Sequence, residues 1–286
     1  MGLNRITLFL ICYCLAISIS YAQNEDAKAE EDNRRYYSVN NTTMVGIGTA
    51  NLYDTYLSPL EYKGFSLRLL NERMKKTSWF NNKFSWQQFI EVEFASIDNP
   101  AKNANEYSLL AGYSWGGHYN LVQTDKFRFS AGGSWSLNGG VLYNQRNSNN
   151  PASARAYTNL NLSAIAFYRW NSIMFRGQLD TPLIGVLFSP EYGQSYYEIS
   201  LGNSVKVINF ASLHNQRAIR AYLTADIPIS KYSIRLGYLG AFYQTKVHNI
   251  QTHNYSSSFI IGLVFESINL SGNRIKNNKI IDSSYY

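Results

Sequence analysis

Phe127-Arg128-Phe129-Ser130-Ala131-Gly132-Gly133-Ser134-Trp135-Ser136-Leu137-Asn138-Gly139-Gly140-Val141-Leu142-Tyr143 is the stretch on which the fold turns. Its odd positions are almost all apolar or aromatic, and its even positions are mostly Arg, Ser, Gly and Asn. A period of two is the signature of a strand with two unlike faces, whereas a helix would repeat every 3.6 residues. Three further segments read the same way. Arg217–Ile229 sets Ile219, Ala221, Leu223, Ala225, Ile227 and Ile229 against Arg220, Tyr222, Thr224 and Asp226. Thr158–Trp170 sets Leu160, Leu162, Ala164, Ala166, Tyr168 and Trp170 against Asn159, Asn161, Ser163 and Arg169. Tyr255–Phe265 sets Tyr255, Phe259, Ile261, Leu263 and Phe265 against Ser256, Ser258 and Gly262. Weaker alternation over 44–53, 62–72, 84–96, 106–121, 172–180, 195–202, 204–210 and 231–246 brings the expected number of strands to about twelve.

The fold class read from this pattern is all-β: a single antiparallel transmembrane β-barrel. Aromatics cap the apolar faces with aliphatics between them, as strands crossing two lipid–water interfaces require. The opposite faces read as polar along their length, as a barrel interior would be. Tight connections are expected at Val122–Lys126, Trp170–Ser172, Gly202–Val205 and Pro228–Tyr232. Long polar ones are expected at Ser96–Glu106, Asn144–Arg155, Thr181–Ser195, Ala211–Arg217 and Lys246–Asn254. Short periplasmic turns and longer external loops are the habit of outer-membrane barrels. The six prolines are expected in connections or at strand ends, where a missing N–H does no harm. A soluble secreted β-rich binding protein is the alternative that alternation alone leaves open.

The N-terminus supports export. Asn4-Arg5 precedes an apolar run, Ile6–Ile19, and Ser20-Tyr21-Ala22 supplies small residues at −3 and −1. That pattern is a Sec signal peptide cleaved after Ala22. Expected boundaries are 1–22 for the signal, 23–42 for a polar periplasmic leader, 43–268 for the barrel and 269–286 for a polar periplasmic tail. The two cysteines, Cys12 and Cys14, fall inside the signal. A mature chain without thiols excludes disulfides, Cys-based metal sites and a Cys nucleophile. Charged residues make up 16% of the chain, below the roughly 25% usual in soluble domains. The aromatic count of 23 Tyr, 15 Phe and 5 Trp argues against disorder. The net charge of +7 fits loops and tails facing anionic lipopolysaccharide, and no basic cluster interleaves with stacking aromatics as nucleic-acid binding would need.

Four segments also resemble a known family: Thr55-Tyr56-Leu57-Ser58-Pro59-Leu60-Glu61-Tyr62-Lys63-Gly64, Asn71-Glu72-Arg73-Met74, Ser212-Leu213-His214-Asn215-Gln216-Arg217-Ala218, and Arg235 through Val247. The family is an uncharacterised exported β-barrel group of Bacteroidales-type, Gram-negative bacteria, known only as a domain of unknown function. The resemblance spans most of the mature chain, and Gln23 directly after the signal is similar to that group's exported proteins. It implies an outer-membrane location and no particular activity.

Candidate chemistry lies in two places. His214 and His253 fall in expected external loops with Ser256 and Ser257 nearby, the residue types of a lipid-modifying hydrolase or acyltransferase at the outer rim. Such a nucleophile needs a base in reach, a group orienting it and an oxyanion hole, and no spacing here assigns a partner. His118 reads as a hydrogen-bonded interior residue. The second place is the lumen. Arg68, Glu72, Glu91, Glu93, Arg128, Arg176, Asp180, Glu198, Lys206, Arg220, Asp226, Arg235 and Glu266 all fall on the polar faces. Mixed charges in a narrow interior are expected to pair as a structural network, with a selectivity lining as the alternative. The expected function is that of an outer-membrane barrel, structural, surface-exposed or a narrow channel, and non-enzymatic. No cofactor or metal is expected. The expected partners are outer-membrane lipid, lipopolysaccharide and, during insertion, the barrel-assembly machinery.

Overall fold

The structure, a computed structural model, describes residues 36–148, 150–202, 207–229, 232–268 and 281–282. Its strands are β1 (Tyr36–Asp54), β2 (Ser58–Thr77), β3 (Phe84–Asp98), β4 (Asn105–Gln123), β5 (Phe127–Asn144), β6 (Ala152–Trp170) and β7 (Ile173–Phe188). After a one-turn helix α1 (Tyr196–Ser200) come β8 (Ile208–Ser212), β9 (Gln216–Ile229), β10 (Tyr232–Val247), β11 (Ile250–Ile268) and the two-residue β12 (Ile281–Asp282). Neighbours pair antiparallel from β1 to β7, β7 pairs β9, and β10 and β11 follow. β11 then pairs back onto β1, from Ser38↔Ile268 to Asp54↔Thr252. The result, among the described residues, is a closed antiparallel barrel of ten strands. β8 lies outside the ring on the far half of β7, from Ile184↔Ser212 to Phe188↔Ile208. β12 runs parallel to β1 beside Tyr36 and Tyr37.

Ten strands close the ring where about twelve were expected, and two local causes account for the difference. The segment 195–202 is α1 rather than a strand. Ser195 Oγ accepts from Glu198 N at 3.2 Å, and Glu198 Oε2 accepts from Ser195 N at 2.8 Å, so Ser-x-x-Glu forms a capping box that favours helix. The described part of 204–210 enters β8 at Ile208, and that strand lies outside the ring. Ring strands are also long, from 14 residues in β9 to 20 in β2, and they absorb expected loops. The connection placed at Lys246–Asn254 is a hairpin turn at His248 and Asn249, with φ of 49° and 63°. Two successive positive φ values match the right-handed twist of the flanking strands. β1 begins at Tyr36, inside the segment 23–42 taken as leader. The signal segment 1–22, Lys206 and most of 269–286 lie outside the described residues, as does most of the turn placed at Gly202–Val205.

The connections define two ends. Among the described residues, the turn end carries 78–83, 124–126 and 171–172; the loop end carries 55–57, 99–104, 145–148, 150–151, 189–202, 207, 213–215 and 248–249. Period two puts Val45, Ile47, Phe65, Leu67, Leu69, Ile90, Val92, Phe94, Leu160, Leu162, Leu223, Leu236, Ile261 and Leu263 on the exposed outer face. Aromatics ring this belt at the turn end, among them Trp79, Tyr119, Phe127, Tyr168, Trp170, Tyr232 and Phe265. Phe94 and Tyr107 stack toward the loop end, at 6.4 Å.

Among the described residues the wall has one break. The β7–β9 ladder stops at Asp180↔Arg220, and pairing on that edge resumes with β8 at Ile184. β7 also bulges against β6 here, with Leu160 opposite Ile184 and Asn161 opposite Pro182. Pro182 was expected in a loop but sits inside β7, at the interval where the neighbouring ladder asks for no donor.

Candidate functional site: a filled and partly hollow lumen

Inward-facing residues build the interior in layers. At the turn end Met74, Ile165, Phe167 and Met174 form an apolar floor, with the Arg128 guanidinium 4.5 Å from the Phe167 ring centre. The next layer centres on Glu72, buried on β2. Its Oε1 accepts from Arg176 Nη1 at 2.5 Å and Gln87 Nε2 at 2.7 Å. Its Oε2 accepts from Arg235 Nη1 at 2.5 Å and the Tyr222 hydroxyl at 3.3 Å. Arg235, fully buried, also forks onto Asp226 with two bonds of 2.6 Å. Gln87 and Gln178 exchange amide bonds at 2.9 and 3.0 Å. Ser163 donates to Asp180 at 2.5 Å and meets His118 Nε2 at 2.8 Å, so His118 is a hydrogen-bonded interior residue. Met44, Leu70, Phe89, Leu239 and Ile260 pack beside this layer. The interior is thus not polar along its whole length, as the alternation suggested. Ten strands enclose a narrower space than twelve, and side chains fill it as they fill a core.

Farther toward the loop end the charges are looser. Arg220 stands 3.4 Å from both Asp180 and Glu91 and lies over the Phe89 ring at 4.1 Å. Arg68 meets Glu93 at 2.8 Å and Glu91 at 3.6 Å, and it bonds Ser256. Above them the Tyr157 and Tyr243 rings stack at 4.3 Å. The loop end is then closed by Ala50, Leu52, Tyr56, Leu57, Tyr62, Ala95, Ile97, Ala104, Leu142 and Ile250. The β1–β2 turn is tied down there. The Tyr56 hydroxyl donates to Gln194 O at 2.8 Å, Ser153 donates to Asp54 at 2.8 Å, and Asn147 donates to Leu57 O at 3.1 Å. Burial, with Tyr196 beside it, pushes the Tyr56 phenol up to about 12. Arg155 approaches Asp54 at 3.7 Å.

The structure therefore gathers Arg68, Glu91, Glu93, Asp180 and Arg220 into one group and Arg176, Asp226 and Arg235 into another around Glu72. Arg128 lies in the apolar floor. Glu266 is exposed at the turn end opposite Asn40, and Glu198 caps α1 instead of facing the lumen. Gln87, Gln178, Tyr222, Tyr157 and Tyr243 are interior partners that a search for charge passes over, although each sits on an inward register position.

The hydrolase candidates are not brought together. Ser256 is buried and faces Arg68, whereas Ser257 faces outward and bonds the Tyr238 hydroxyl at 2.9 Å. His253 stacks on Tyr255 at 4.3 Å, and its Nε2 is 3.4 Å from Asn51. His214 Nδ1 bonds Ser212 Oγ at 2.5 Å on an exposed turn. No carboxylate among the described residues orients the His214 ring, so the triad logic is incomplete.

The fold is similar in outline to several solved structures. The outer membrane protease OmpT from Escherichia coli is 8% identical over 82% of this chain and 97% of that one, with a TM-score of 0.44. The translocator domain of the autotransporter NalP from Neisseria meningitidis is 12% identical over 86% and 97%, with a TM-score of 0.39. A Pseudomonas aeruginosa FadL homologue is 8% identical over 82% and 90%, with a TM-score of 0.34. All three superpose loosely and none bears on what this chain does. No curated protein matches the chain in sequence. The family model described as "Protein of unknown function (DUF3316)" matches residues 6–274, and the chain belongs to that family.

Proposed function

We propose that the chain is an outer-membrane barrel, inserted with its loop end outward, whose lumen is sealed. It acts as a structural or surface protein rather than as a pore or an enzyme. One observation carries this reading: an exposed apolar belt surrounds an interior closed by an apolar floor, by the Glu72 network and by the Tyr56 cap. Exposed apolar surface of that extent has no stable place in water, and closure of the ring pairs the strand edges in lipid everywhere but at the break beside Pro182. A hydrated solute crossing the lumen would have to break three buried layers. The purified, folded barrel in planar bilayers is expected to show no steady open-pore conductance; a large steady current would move the channel reading ahead.

Orientation is tested separately. The sequence holds cysteine only at Cys12 and Cys14, so single cysteines introduced elsewhere report their own position. Asn249→Cys, at the loop end, is expected to react with a membrane-impermeant maleimide on intact cells. Asp125→Cys, at the turn end, should react only after the outer membrane is permeabilised. The opposite pattern would invert the topology.

A further inference from the structure

Between the Tyr157–Tyr243 pair and the Glu72 network the lumen is hollow as far as the break in the wall, where Pro182, Ala218, Ile219 and Phe242 also line the space. The chamber has a volume of about 120 Å³, and a side recess of about 60 Å³ shares Glu91, Asn138, Tyr157 and Tyr243 with it. At roughly 10–15 Å³ of such space per water, the main chamber holds on the order of eight waters. That is room for about one sugar ring. Its walls carry the Glu91 and Asp180 carboxylates, the Arg220 guanidinium, hydroxyls from Ser114, Ser134 and Ser136, and the amides of Asn138, Asn159 and Asn161.

Three features of this lining point to a ligand. First, every charge is already answered: Arg220 sits between Glu91 and Asp180, and Arg68 between Glu91 and Glu93. A charged ligand would have to displace one of these pairs. Second, hydrogen-bonding capacity is left over. Arg220 is held at 3.4 Å from both carboxylates, longer than a good charged bond. Asn159 is only 4% exposed, yet its Oδ1 has no donor. Gly185 makes room for that amide, since a Cβ there would lie 2.1 Å from Asn159 Oδ1. Third, the chamber has a door. Tyr157 and Tyr243 line it and also line a small loop-end recess bounded by Asp54, Ser153, Arg155 and Ser189. Their stacked rings separate the two spaces, with Tyr243 OH held by Gln216 Nε2 at 3.2 Å.

We propose that this chamber is a blind binding site for a small, uncharged polyhydroxylated molecule of monosaccharide size, entered from the loop end through the recess beside Tyr56 and past the Tyr157–Tyr243 pair. A ligand rich in both donors and acceptors satisfies the spare carboxylate, amide and hydroxyl positions together, and the Glu72 network stops it from passing through. The inference rests on the sealed-lumen reading and fails in a different way. A through-current would overturn the seal, whereas an empty chamber in a barrel that still carries no current would overturn the site.

The test uses the full-length folded barrel in detergent micelles, titrated by calorimetry with glucose, galactose, mannose and N-acetylglucosamine, and in parallel with palmitate, phosphate and ethylamine. At least one sugar is expected to bind, and Asn159→Leu is expected to weaken it at least tenfold. Ser136→Val, a smaller change in the same wall, is expected to weaken it as well, and keeps the test informative should Asn159→Leu misfold. Tyr243→Ala is expected to speed association of the same sugar. Binding of none of the sugars, affinity unchanged in a folded Asn159→Leu or Ser136→Val, or binding of palmitate or of the ions in their place would each overturn the proposal.

Discussion

Replacing Glu72 with alanine is expected to destabilise the barrel by about 3–5 kcal/mol, the cost of leaving buried cations without their counter-charge. The carboxylate is the shared acceptor of Arg176, Arg235, Gln87 and Tyr222, and the residue is 1% exposed. Its removal strands Arg176, whose carboxylate partner among the described residues is Glu72, whereas Arg235 keeps Asp226. Urea-driven unfolding in lipid vesicles, followed by tryptophan fluorescence, measures the loss. Exchanging Glu72, Arg176, Arg235 and Asp226 together for apolar residues of similar size should recover most of it, because the desolvation of four charges disappears with their pairing. A Glu72→Ala barrel as stable as the parent would mean that the network contributes nothing to holding the interior.

Leu223→Arg is expected to cost roughly 2–4 kcal/mol in the membrane-inserted barrel. Leu223 stands at the middle of the outward row on β9, between Ala221 and Ala225, and is 50% exposed. An arginine there meets hydrocarbon and must reach for an interface. In water the same exchange on an exposed position would stay within about 0.5 kcal/mol. The comparison therefore tests the lipid-facing assignment directly. Arg217, outward on the same strand at its loop end and exposed, supplies the control: Arg217→Leu should change stability little. Equal, negligible effects of both exchanges would place the outer belt in water.

The wall was legible in the sequence because strand direction follows from local chemistry. Phe127–Tyr143 alternates so strictly that β5 and the two faces of its neighbours follow from it. The same parity placed Arg68, Arg220 and Asp226 on inward faces. Which acid meets which base was not legible, because that depends on how strands stagger around the ring. Glu72 meets Arg176 and Arg235 across separations of 104 and 163 residues, and no local pattern encodes such meetings. The two segments missing from the ring, 195–202 and 204–210, have a different origin, the second leading into β8 outside the ring. Ser195-Tyr196-Tyr197-Glu198 can be read as alternation or as a helix start, and the reciprocal bonds of Ser195 and Glu198 decide for the helix. At His248–Asn249 the polar run that suggested a long loop is two residues of turn between strands that simply continue.

The break beside Pro182 has a consequence for how the chain can change length. Along β7 the buried positions are even up to Pro182, whereas beyond it Leu187 is buried and Ile184 and Val186 are exposed. The partner edge switches as well: Tyr222, Thr224 and Asp226 are buried on β9, but Ala211 is the buried residue of β8. Both edges thus reverse phase over the same short interval, and Ala211 still faces Gly185 across the ladder. Because a one-residue slip turns a strand inside out, losing or gaining one residue on either edge alone would put Phe210 or Val186 into the lumen. Relatives with a different number of residues here are viable only when both edges change phase in concert. Insertions and deletions at this seam should therefore arise as matched pairs, while the turns at the opposite rim can vary one at a time.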